Sequence, residues 1–98
     1  VNPARGEAEL RCGDACWTLR PTFEALVAAE DEVGPLFGLV ERAAEGRLSV
    51  AEMVALLWHC LSGERPERGA FGEAVVAAGV ANVLPAVRAV LAQVLAGR

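Results

Sequence analysis

Residues 7–26 read EAELRCGDACWTLRPTFEAL, and the Gly13-Asp14 pair inside this stretch decides how the fold begins. Gly at the first position of a two-residue loop suits a type II′ turn, whose twist matches that of paired strands. With the turn placed there, Cys12 faces Ala15, Arg11 faces Cys16 and Leu10 faces Trp17. Further out, Glu9 faces Thr18, Ala8 faces Leu19 and Glu7 faces Arg20. Side chains alternate across a strand, so Ala8, Leu10, Cys12, Ala15, Trp17 and Leu19 share one face. Glu7, Glu9, Arg11, Cys16, Thr18 and Arg20 share the other. A slip of one residue would mix the apolar and polar faces, so the register is strongly specified. The pattern predicts a hairpin over 7–20, with Glu7 and Arg20 within reach of an ion pair. Leu10, Trp17 and Leu19 are expected under the rest of the fold, with Glu9, Arg11 and Thr18 toward water.

The same register sends Cys12 and Cys16 to opposite sides of the sheet, where they can neither bridge nor share a metal. Cys12 becomes a small core residue and Cys16 a surface one. Three cysteines are an odd count, and the opening VNPARGEAEL has no apolar leader core. Both features predict a reducing, cytoplasmic setting. One His and three scattered Cys do not make a four-ligand zinc set. His59 and Cys60 are helix neighbours pointing about 100° apart, and no third group is marked to orient them. The glycines sit at turns and caps rather than in a phosphate-binding pattern. No catalytic, metal-binding or cofactor-binding residue is assigned, and a non-enzyme is expected.

Beyond the hairpin the apolar spacing becomes helical. Thr22 is a natural N-cap for FEALVAAEDEV, with Phe23, Leu26, Val27 and Val33 as the apolar side and Glu30 intruding on it. Gly34-Pro35 stops that helix and starts the next, where Leu36, Phe37, Val40, Ala43 and Ala44 fall on one side before Gly46. Ser49 and Glu52 form a capping box ahead of a stripe of Met53, Leu56, Leu57, Cys60 and Leu61. The charged run ERPERG reads as a loop, a short helix follows, and Asn82 reads as the cap of the last helix. The predicted architecture is α+β, a single domain over 1–98. It pairs the two-stranded antiparallel hairpin with about five helices near 22–33, 35–45, 49–62, 70–79 and 82–96. A lone ribbon of two strands is barely stable, so its apolar face must lie on the helices.

Composition narrows the function classes. The chain has 98 residues, enough for one modest core, and 54% are hydrophobic, which argues against disorder. Net charge is −4, a poor balance for gripping nucleic acid or an anionic membrane. The stretch AVVAAGVANVLPAVRAVLAQVLAG is long enough to span a bilayer, but Asn82, Pro85, Arg88 and Gln93 interrupt it, and two soluble helices fit better. Acids gather at Glu24, Glu30, Asp31, Glu32, Glu41 and Glu45, while 74–98 carries no acid at all. That asymmetry reads either as ordinary solvated faces or as an acidic patch offered to a basic partner.

The stretch RGEAELRCGDACWTLRPTFEALVAAEDEVG resembles the opening of the gene transfer agent tail-region family of alphaproteobacteria. The matching positions are Gly6-Glu7, Leu19-Arg20, Thr22-Phe23 and Ala25-Leu26. GRLSVAEMVALLWHCLSG resembles the next family segment through Gly46-Arg47 and Ser49, whereas the charged SGERPERG departs from the longer Gly-rich loop of the family. That family is similar to phage tail assembly chaperones. The resemblance implies a non-enzymatic chaperone or adaptor engaging the tape-measure protein and tail-tube subunits during tail building. The alternative it leaves open is a structural tail component retained in the finished particle. Leu84, Val87, Leu91 and Val94 lie in line on the last helix, either as its core contact or as a surface shared with a partner. In the second case the chain would self-associate when alone, and Glu30, Asp31 and Glu32 would draw in a basic tail-protein segment.

Overall fold

The computed structural model describes residues 7–97. Residues 1–6, which include most of the stretch read as lacking a leader and Gly6 of the family resemblance, lie outside the described residues, as does Arg98. The chain runs β1 (Ala8–Cys12), β2 (Ala15–Leu19), α1 (Phe23–Val33), α2 (Leu36–Ala44), α3 (Val50–Cys60), α4 (Arg68–Ala78) and α5 (Val80–Ala96). The fold is α+β, a two-stranded hairpin followed by five helices.

The hairpin pairs in the expected register, from Ala8 with Leu19 to Cys12 with Ala15. Gly13 takes a φ of 61°, which Asp14 does not share, as a type II′ turn requires. Leu10, Cys12 and Leu19 are buried, while Glu9, Arg11 and Cys16 face water. Trp17 and Thr18 are both half-buried, and the Trp17 ring meets Phe71 edge-on at 5.2 Å. At the open end, Arg20 Nε donates to Glu7 Oε2 at 2.9 Å.

The outer edge of β2 is covered by the chain leaving α3. Arg20 N donates to Cys60 O at 2.7 Å, Ser62 N donates to Thr18 O at 2.8 Å, and Leu61 bridges Leu19. These bonds satisfy strand groups that would otherwise offer a template for another chain. They also fasten the hairpin to the helical part of the fold.

Helix α3 is the central post. Met53, Val54, Ala55, Leu56, Leu57 and Cys60 are all buried, as expected for a helix surrounded by others. Its capping box is complete: Glu52 N donates to Ser49 Oγ at 3.1 Å and Ser49 N donates to Glu52 Oε1 at 3.0 Å. Thr22 Oγ1 caps α1 by accepting from Ala25 N. Helix α2 begins after Pro35, which has no capping side chain, and Glu30 Oε2 instead accepts from Leu36 N at 3.0 Å.

Two helix starts differ from the sequence reading. Helix α4 begins at Arg68 because the Glu67 carboxylate accepts from Gly69 N and Ala70 N. Helix α5 begins at Val80, and Asn82 is not its cap: Asn82 Nδ2 donates to Ala78 O at 2.7 Å. The break is Gly79, at a φ of 94°, where the axes turn by 115°. Among the described residues no single helix is long and apolar enough to cross a membrane.

The inward sides of α1 and α2 also need correction. Helix α1 buries Ala25 and Ala29, not Phe23 and Val27, and α2 buries Leu36 and Leu39, not Phe37. Helix α1 lies chiefly on α3, and two alanines one turn apart let the backbones approach closely. Phe23 is left 82% exposed and Phe37 70% exposed.

Candidate docking furrow

Six large apolar side chains are exposed among the described residues, and four of them, Phe23, Val27, Phe37 and Leu95, line one hollow of about 440 Å³. The hollow lies where α1, α2 and the end of α5 meet. A shallower one of about 270 Å³ continues from it past Val40 and Leu95, over Leu91 and Ala92. A third, of about 240 Å³, follows beyond Ala43 and Arg88, lined by Leu48, Met53, Leu84 and Val87. Neighbouring hollows share wall residues, so the three follow one another as a furrow along the seam between α2 and α5. From Leu84 to Leu95 it runs about 16 Å at 1.5 Å per residue.

Local sequence explains the seam. Helix α2 is short and buries Leu36 and Leu39, so Phe37 and Val40 flank its inward side. Helix α5 buries Val83, Ala86, Val87, Val90 and Leu91, leaving Leu84 and Val94 half-buried and Leu95 exposed beside them. The four α5 residues singled out in the sequence, Leu84, Val87, Leu91 and Val94, lie along the furrow in that order. Val87 and Leu91 belong to the core and form its floor.

The acidic triplet does not form one patch. Glu30 lines the larger hollow and Asp31 is exposed beside it. Glu32 turns to another side of α1 and meets Arg68, with Nη1 to Oε2 at 2.7 Å and Nη2 to Oε1 at 2.8 Å. His59 Nε2 lies 2.8 Å from Glu32 Oε1. Hydrogen bonds from Arg68, then from His59, hold the Glu32 carboxyl down at about 2. The Arg68 guanidinium also lies over the Trp58 ring at 4.5 Å, with Arg65 over the same ring at 5.0 Å. The indole N–H donates to Pro66 O, so this cluster clamps α1, α3, α4 and the loop between the last two. It is a joint within the fold.

Charge along the furrow is unequal. Glu24, Asp31 and Glu41 make no ion pair among the described residues, and Arg42, within the same stretch, is committed to Glu52. Arg88, exposed and likewise without an ion pair, stands over the two hollows at the far end. One end is therefore acidic and the other carries a cation.

The spacing places Phe23, Val27 and Phe37 on the apolar sides of their helices, yet all three stand exposed. Glu30 shares the Phe23, Leu26 and Val27 stripe, a sign that this side meets water, while the one acid on the Ala25 and Ala29 side, Glu32, is paired by Arg68 and His59. Burial pushes the Cys60 thiol up to about 12 and raises Cys12, which keeps these two in the unreactive thiol form, while Cys16 is exposed.

Residues 5–97 match the family described as phage tail tube protein, GTA-gp10. The chain belongs to that family. The match covers nearly the whole chain and agrees with the gene transfer agent resemblance of its opening stretch. Between the two roles that resemblance implied, the description of the GTA-gp10 family fits a structural tail component better than an assembly chaperone. No curated protein and no solved structure matches the chain.

Proposed function

We propose that this protein is a non-catalytic, structural component of a gene-transfer-agent tail, held in the particle by contacts with other tail proteins. The observation that carries the reading is the furrow, whose Phe23 and Phe37 rings stand 82% and 70% in water when the chain is alone. Covering apolar surface contributes about 25 cal/mol per Å², so two rings and Leu95 make this face the natural contact surface. Tube subunits and the tape-measure protein are the proposed neighbours. Family membership supports a tail role, and the buried Cys60 thiol and the engaged His59 support one without catalysis.

The concave shape of the furrow also favours a second reading, a chaperone that grips a tail protein before assembly and then leaves. Quantitative mass spectrometry of purified particles separates the two. The structural reading expects the protein in a fixed ratio to other tail proteins, and expects Phe23→Glu/Phe37→Glu to remove it from particles. Its absence from particles, with recovery on unassembled tail proteins, would replace the structural role by the chaperone one.

A further inference from the structure

We infer that the α2–α5 furrow receives an amphipathic helix of about three turns from a different tail protein, bound in one direction. The inference rests on the tail reading and adds the chemistry and polarity of the partner. About 16 Å of furrow accommodates about eleven helical residues, and a helix in such a groove anchors itself through side chains three and four apart. The hollows at Leu95 and at Leu84 take such anchors at the two ends, over the shared floor at Leu91.

Charge sets the direction. Glu30 lines the first hollow, and Glu24 and Asp31 stand beside Val27 on the same helix. Phe37 has Glu41 one turn along α2. Arg88 marks the other end. The positive N-terminal end of a helix dipole matches the acids and its negative C-terminal end matches Arg88; Lys or Arg in the first turn adds attraction to the acids, at some cost to the free helix. A second copy of this chain is a poorer occupant. It presents the same concave furrow, and two hollows face to face leave their space unfilled. The remaining large exposed apolar side chains among the described residues, Val50 and Val76, lie singly on α3 and α4.

The test selects binders to the full chain from a library of 14-residue peptides with apolar residues at helical spacing and randomised charged flanks. The expected winners carry Lys or Arg in the first turn. In fluorescence anisotropy, Leu95→Glu, at an exposed position the fold does not need, weakens the winners about 10-fold or more. Arg88→Glu weakens those with C-terminal acids by about 3-fold or more, and added salt reduces all binding. The inference is overturned by an absence of enriched peptides, by winners with acidic first turns, or by binding indifferent to Leu95→Glu. It is equally overturned if sedimentation shows a dimer that Leu95→Glu dissolves. Peptide binding as stated, with the protein missing from particles and from tail intermediates, would sink the tail reading alone. Normal incorporation of the Leu95→Glu protein into particles would sink the docking inference alone.

Discussion

Two phenylalanines test whether the furrow is a surface or a misplaced piece of core. Phe71 is fully buried beneath Trp17, whereas Phe37 is 70% exposed at the furrow wall. A phenylalanine offers roughly 200 Å² of surface, so full burial of Phe71 is worth about 5 kcal/mol at about 25 cal/mol per Å². Alanine keeps part of that, and Phe71→Ala is expected to cost about 3–5 kcal/mol. The same arithmetic gives Phe37 about 1.5 kcal/mol for its hidden third, and the better helix propensity of alanine offsets about 0.5 kcal/mol. Phe37→Ala is therefore expected to cost about 1 kcal/mol or less. Urea unfolding followed by tryptophan fluorescence measures both, with an unchanged slope showing that the unfolded states are comparable. The Trp17 signal should also shift in the native state of Phe71→Ala, because its edge contact at 5.2 Å is lost. A Phe37→Ala loss equal to that of Phe71→Ala would mean that Phe37 points inward and that the furrow does not exist.

Glu32→Gln should lower stability at neutral pH by about 1 kcal/mol or less, since the carboxylate is partly exposed and solvent screens the pair. The folded-state pKa of Glu32 is depressed from 4.5 to about 2, so its contribution is fully present above pH 4.5 and fades as pH falls through 2. Wild type and variant should thus differ in urea midpoint at pH 7 and converge near pH 2. A constant gap across that window would contradict the Arg68–Glu32 pairing as its source. For the thiols, a disulfide reagent should modify exposed Cys16 at once in the native protein and reach buried Cys60 after unfolding. Cys16→Ser should leave the unfolding midpoint unchanged, and a shift above about 0.5 kcal/mol would contradict the hairpin register.

Features written by residues close together in the chain were legible in the sequence. The hairpin register depends on one glycine turn and two alternating strands, and a one-residue error would have put Leu10 and Leu19 in water. The Thr22 cap and the Ser49–Glu52 box depend on residues three apart, so their geometry travels with the local sequence. The core stripe of α3 was equally plain, because it had no rival. The start of α5 was missed by two residues because Gly79 and Asn82 are both local stop-and-start signals, and the chain uses the glycine. Tertiary structure decided the rest. On α1, spacing pointed to the bulky side of Phe23, Leu26, Val27 and Val33, and the structure buries the small Ala25 and Ala29 instead. The choice depended on how closely α3 approaches, and no local pattern records that distance. The backbone bonds from Cys60 and Ser62 to the β2 edge, and the Glu32–Arg68 clamp across α1 and α4, join segments far apart in sequence. The furrow follows from the same cause on α1: packing small residues inward leaves Phe23 and Val27 outside, where they meet Phe37 of α2 and Leu95 of α5.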